Sequence, residues 1–405
     1  MRTAVSLRMR RVPLLVAAAG LVLLATGHAF AAGGASGLSG RIYYAGPSEA
    51  CAADESPCAY RPQVWSISPS GTGNRFESAL EDTTVSYSLA DLPVLSHRNG
   101  LLAYFKSAAA YPPRAVLTTT PRGGGATRQL STPPGDNRSP AWSRDDRWIA
   151  FLHYGSAAGH SPSVWVVSSA GGVARQVASA EVPPVMAGSS GVLNAQYPEW
   201  SPDGRWITFP RKTAARGALE LWAVSTTGAH LHQLTHLHLV ESYYHEPGCA
   251  SCGTYLTGGP TFIWSSRGRL AVVTRDGIFL ADGALQRVTR IASPGAYDPL
   301  FSPSGSAILF LRDSSAPAPG WGSDYKSSSI YSVDTSGHGA RRITTGNHLD
   351  QAPAWSPDGR WIAFSRDQAL WIVSSRGTDA HYLPGQARPR DSGYGPYNTT
   401  SVWLP

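Results

Sequence analysis

The densest group of chemistry-bearing side chains runs from Thr235 to Cys249, where His236, His238 and His245 fall within one short stretch. Three imidazoles brought together are a common ligand set for a divalent transition metal, which polarises a substrate or activates water. The alternative is a polar surface loop, because spacing inside a loop sets no geometry and no matching ligands recur elsewhere. Tyr243 and Tyr244 beside His245, with Trp321 and Tyr325 further along, are candidate aromatic anchors for a partner or a glycan. No other cofactor is implied: there is no P-loop, and no G-x-G-x-x-G stands between a strand and a helix. No G-x-S-x-G nucleophile elbow occurs either, so hydrolase chemistry of that type is not expected.

The remaining reactive residues are four cysteines, Cys51, Cys58, Cys249 and Cys252. Gly253 rather than histidine follows Cys249-Ala-Ser-Cys252, which excludes covalent haem attachment, and one CxxC supplies only half of a four-cysteine zinc site. Two local disulfides, Cys51–Cys58 and Cys249–Cys252, are the simplest of the three possible pairings. Each would contribute about 2 kcal/mol through loop closure.

Disulfides require an oxidising compartment, and the N-terminus supplies a route to one. Residues 1–31 combine four arginines, an apolar run from Val12 to Gly27 and the sequence Ala29-Phe30-Ala31. This is the pattern of a cleaved secretory signal, and the run is short of the ~20 residues a transmembrane helix needs. An uncleaved anchor is the alternative. No later segment is apolar enough to span a bilayer, so the mature chain is expected outside the cytoplasm. The formal charge of +7 shrinks accordingly: without the four leader arginines, 30 basic and 27 acidic residues leave +3. On that basis nucleic acid is not an expected partner.

A repeat positions everything else. The phrases Pro140–Phe151, Pro198–Phe209 and Pro353–Phe364 align closely, and weaker copies place serines in register at Ser96, Ser143, Ser201, Ser265, Ser302 and Ser356. A second phrase follows each first one, as in Val164–Ser168, Leu221–Ser225 and Leu370–Ser374, and then a short run such as His232–Thr235. Pro-Asp-Gly fits a tight hairpin, so each unit reads as strand, turn, strand, loop, strand, turn, strand. Four-strand units at roughly 40–60-residue spacing indicate an all-β propeller. The C-terminus, Ser401–Pro405, matches the start of a first strand, while Gly40–Ala45 and Val64–Ser68 match a second and third. Seven blades closed by the C-terminal strand are therefore expected, with six as the alternative count. The domain layout is a leader at 1–31, a linker at 32–39 and one propeller at 40–405. Twelve of the 13 tryptophans occupy three repeat positions and read as packing between blades; Trp321 lies outside.

The phrase W-S-P-D-G-R-W-I-A-F, followed by L-W-x-V-S and x-L-T, resembles the repeat of TolB-type β-propellers over residues 40–405. The resemblance implies the fold and leaves function open, since similar propellers are binding modules, accessory domains of peptidases, or, in oligogalacturonate lyases, enzymes using a His-bound metal. Asp203 and Asp358 read as turn residues. The long segments, 46–62, 153–162, 180–196, 211–219, 236–258, 312–328 and 384–398, all leave the same end of the strands. Binding concentrates in loops on rigid scaffolds, so this end is the expected working surface. The leading expectation is a monomeric, non-catalytic module that binds a protein, or a cell-envelope glycan, there. The alternative is a metal-assisted polysaccharide lyase or hydrolase.

Overall fold

The computed structural model describes residues 38–46, 63–79, 94–108, 114–122, 125–135, 137–154, 162–180, 198–212, 219–237, 262–274, 276–282, 287–317, 326–367, 369–384 and 401–404. Among them every regular element is a strand, and no helix is long and apolar enough to cross a membrane. Among the described residues, the unit Ser39–Pro405 holds seven four-stranded antiparallel sheets. We number the sheets 1 to 7 and letter their strands a to d.

Sheet 1 comprises Ser401–Leu404 (a), Arg41–Gly46 (b), Gln63–Ile67 (c) and Arg75–Ala79 (d). Sheet 2 comprises Val94–Leu95, Leu101–Ala108, Arg114–Pro121 and Arg128–Gln129. Sheet 3 comprises Asn137–Trp142, Trp148–His153, Ser163–Ser168 and Arg175–Ser179. Sheet 4 comprises Glu199–Trp200, Trp206–Lys212, Leu219–Ser225 and His232–Gln233. Sheet 5 comprises Phe262–Trp264, Leu270–Thr274, Gly277–Ala281 and Val288–Ala292. Sheet 6 comprises Ala296–Phe301, Ala307–Pro317, Lys326–Asp334 and Arg341–Arg342. Sheet 7 comprises Asp350–Trp355, Trp361–Arg366, Ala369–Ser374 and His381–Tyr382. Five of the outermost d strands pair over few residues or carry exposed arginine, which limits edge-to-edge association.

Local chemistry makes each a–b hairpin. In sheet 4 the Ser201 hydroxyl donates to Asp203 at 2.6 Å and accepts the Trp206 N–H at 3.0 Å, while Asp203 accepts the Arg205 N–H at 3.1 Å. Ser356, Asp358, Arg360 and Trp361 repeat the arrangement in sheet 7. Burial alone pushes the Asp203 carboxyl up, but the Ser201 and Arg205 hydrogen bonds outweigh it and leave the group below its ordinary range.

The core lies between sheets. Phe209, Val224 and Trp200 of sheet 4 pack on Ala150, Val166 and Val177 of sheet 3, and comparable layers join sheets 2 to 3, 4 to 5, 5 to 6 and 6 to 7. The first-position tryptophans add directed bonds: Trp142 Nε1 donates to Val94 O, Trp200 Nε1 to Ala141 O and Trp355 Nε1 to Leu300 O, at 3.0, 3.0 and 3.3 Å. Each acceptor belongs to strand a of the preceding sheet, so neighbouring a strands lie close together. Trp403 differs. Its Nε1 donates 3.0 Å to Ser39 O, and Ile42 faces Trp403 in the strand pairing, which fastens the C-terminus to the first strand of the chain. Sheets 1 and 7 meet at Gly71, whose φ of +78° and 2.4 Å virtual Cβ distance to Pro384 leave no room for a side chain.

Candidate functional site

The b–c and d–a segments join strands at one end of the sheets, the long-loop end; the a–b and c–d turns form the short-turn end. At the long-loop end, strand a of sheets 3, 6 and 7 carries a bulge at one repeat position. Ser139, Asp298 and Ala352 have φ of +56°, +52° and +49°, each directly before a proline, and the pairing register shifts there. The bulge re-aims the residues ahead of it toward the ends of the b strands.

Those residues form polar pairs. In sheet 3, the His153 ring nitrogen lies 2.8 Å from Asn137 Oδ1, and Asn137 Nδ2 donates to Ala115 O at 2.8 Å. In sheet 6, the Tyr297 hydroxyl donates to Asp313. Burial and the Asp313 charge push the Tyr297 phenol well above its ordinary value, so it stays a protonated donor. In sheet 7, Arg366 donates from Nε and Nη2 to the two Asp350 oxygens at 2.7 and 2.9 Å, and both side chains are buried. The Arg366 guanidinium also lies over the Phe364 and Trp371 rings, 5.3 and 5.2 Å from their centroids. Beside it, His348 Nδ1 is 2.6 Å from Asp367. In sheet 4, buried Glu220 accepts the Thr235 hydroxyl at 2.8 Å and the Leu237 N–H at 3.0 Å.

Of the residues singled out from sequence, His236 is described. It is exposed, with Nδ1 3.0 Å from Gln233 Nε2, and Gln233 also donates to Thr235 O. Glu220 and Gln233 therefore anchor the base of the histidine segment. His238, His245, Tyr243, Tyr244, Trp321, Tyr325, Cys51, Cys58, Cys249 and Cys252 lie outside the described residues, as does the leader at 1–31. Among the described residues no three His, Cys, Asp or Glu side chains gather as a metal site. Sequence reasoning did not single out Asp350, Arg366, His348 or Asp367. Their pairing joins residues from opposite strands, and the only signal is that Asp350 and Arg366 occupy the repeat positions of Asn137 and His153.

The short-turn end also holds a feature that loop length did not suggest. A cleft of about 450 Å³ opens between sheets 6 and 7, lined by Ser302, Ser304, Ser332, Arg341, Trp355 and Ser375 among others. Arg341 Nη2 crosses to Ser375 O at 2.8 Å.

No protein-family model matches the chain. Among solved structures it is similar to prolyl endopeptidases, with 11% identity, 85% of this chain and 48% of that one covered, and a TM-score of 0.53. The chain thus spans about half the length of that enzyme. It is also similar to TolB from Acinetobacter baumannii (14% identity, 90% of this chain, 67% of that one, TM-score 0.45). A third similarity is to an oligogalacturonate lyase in complex with manganese (12% identity, 72% and 75% covered, TM-score 0.47). The repeated four-stranded antiparallel sheets and the fold-level similarity lead to one conclusion: the chain is an all-β propeller.

Proposed function

We propose that the protein is an exported, non-catalytic propeller scaffold of seven blades, closed by its C-terminal strand, that binds a protein partner through its long-loop end. The observation carrying this reading is that polar groups described at this end are already engaged with one another. Asp350 holds Arg366, Asp313 holds Tyr297, Asn137 holds His153 and Glu220 holds Thr235. Such closed pairs stiffen a platform, and none of them sets a nucleophile against a base. The export reading rests on residues 1–31, and the local pairings Cys51–Cys58 and Cys249–Cys252 belong with it. A cell-envelope glycan is the second class of partner for the same end.

The test is a pull-down from envelope extract with the intact chain and with a variant shortened in 236–258 and 312–328. Loss of a specific partner from the shortened variant, at unchanged thermal midpoint, supports the reading. Equal recovery by both chains overturns it.

A further inference from the structure

We propose that the short-turn end of the propeller is a docking surface for an anionic phospholipid bilayer. The first observation is charge placement. Exposed arginines stand in the a–b turns of five sheets: Arg98 in sheet 2, Arg147 in sheet 3, Arg205 in sheet 4, Arg267 in sheet 5 and Arg360 in sheet 7. The Arg147 and Arg205 side chains are 79% and 80% exposed. The chain's three lysines, Lys106, Lys212 and Lys326, sit at the opposite ends of their strands, opposite Val116, Leu219 and Pro317. The cationic end is thus built from arginine, whose planar, weakly hydrated fork suits phosphate oxygens. The turn carboxylates Asp145, Asp203, Asp334 and Asp358 accept hydroxyl and backbone donors of their own turns and stay charged. Arg205 Nε also donates to Asp203 at 2.9 Å and Arg147 lies 3.9 Å from Asp145, exposed pairs that phosphate oxygens can replace.

The second observation is apolar. Among the described residues the exposed large hydrophobic side chains are Val173, Leu231 and Val288, at 88%, 38% and 43% exposure, and they belong to this end. They stand at the c–d turns of three consecutive sheets, 3, 4 and 5. Apolar side chains interspersed with arginine match the boundary between headgroups and acyl chains, which a soluble polyanion does not offer. The cleft between sheets 6 and 7, with its serines and Arg341, adds a polar recess on the same surface.

A third observation weighs against single-stranded nucleic acid. The half-buried tryptophans of this end already have cationic or imidazole neighbours: Arg175 over Trp148 at 5.5 Å, His232 against Trp206 at 5.0 Å and His381 against Trp361 at 6.2 Å. Their rings are not open stacking platforms for bases. Docked in this way, the propeller would turn its long-loop end away from the membrane.

The test is flotation of the full chain with vesicles of phosphatidylcholine alone, and with roughly one-third phosphatidylglycerol. Residues 1–31 are common to every variant, so differences between variants read the short-turn end. The anionic vesicles should bind more tightly, and added salt should weaken that preference. The triple variant Arg147→Gln/Arg205→Gln/Arg360→Gln should lose roughly a hundredfold in affinity for them. Val173→Ser/Leu231→Ser/Val288→Ser should lose several-fold at unchanged salt dependence, and Lys106→Gln/Lys212→Gln/Lys326→Gln should match the parent. Thermal midpoints report whether each variant is folded. Equal binding to both vesicle types overturns the proposal, as does an arginine variant that binds like the parent. Capture by duplex DNA or polyphosphate without vesicle binding also overturns it and assigns a soluble polyanion instead. The arginine and apolar variants leave the long-loop end intact, so their outcomes are independent of the pull-down.

Discussion

Asp146 Oδ2 accepts the backbone N–H of Arg98 at 2.7 Å, across the junction of sheets 2 and 3. The same carboxylate accepts the N–H groups of His97 and Asn99, both at 2.8 Å, so one side chain caps three consecutive amides of the neighbouring turn. Asp146 is buried with φ of +58°, where the matching residues of other turns are Gly204, Gly305 and Gly359. Replacing Asp146 with alanine removes the cap and keeps the unfavourable φ, and should cost about 3 kcal/mol in urea unfolding. Asp146→Gly relieves the φ and should recover about 1 kcal/mol of that loss.

The tryptophans separate into bonded and unbonded indoles. Trp200→Phe removes the bond from Nε1 to Ala141 O and leaves that carbonyl short of a donor, at a cost of about 1–2 kcal/mol. Trp222 has a buried Nε1 with no hydrogen-bond partner among the described residues, although Arg211 lies over its ring at 4.9 Å. Trp222→Phe should therefore cost less than about 1 kcal/mol. Equal denaturation midpoints for the two variants would contradict the assignment.

Arg366 and Asp350 form a buried, bidentate pair, so deleting one partner strands the other charge. Asp350→Ala should destabilise by about 3–5 kcal/mol, whereas Asp350→Ala/Arg366→Met should recover much of that. A double-mutant cycle in guanidinium reads the coupling directly.

Glu199 supplies a pH signature. Burial pushes its carboxyl up from 4.5 to about 7, opposed only by the Arg144 charge. The native state therefore holds this proton more tightly than the unfolded chain. Its contribution is complete below the unfolded value of 4.5 and disappears as pH rises through the folded value of about 7. Partial exposure screens the effect, which should be on the order of 2 kcal/mol. Glu199→Gln should remove this decline, making the variant more stable than the parent at alkaline pH. Urea midpoints measured on either side of the window check this, and parallel pH profiles for the two proteins would exclude it.

The hairpins were legible because their chemistry is local. Ser201, Asp203 and Arg205 bond within one turn, and the spacing that reveals the turn also makes the bonds. The inter-sheet tryptophans were legible for a related reason: a residue recurring at one repeat position meets the same neighbour each time. The bulges were not, because a residue before proline normally avoids positive φ, yet Ser139, Asp298 and Ala352 adopt it under tertiary constraint. The pairs Asp350–Arg366 and His348–Asp367 were hidden too, since each joins residues separated in sequence and brought together by strand register.

Sequence alone thus determines the period, the strand–turn alternation and the all-β propeller class, because these depend on residue type and short-range spacing. Net charge is also a sequence property, and at +3 without the leader it conceals its own distribution. Placement depends on which strand end each residue occupies, and that is a property of the folded sheets. Antiparallel pairing carries the a–b turn arginines to one end of the sheets, so their grouping on one surface exists only after folding.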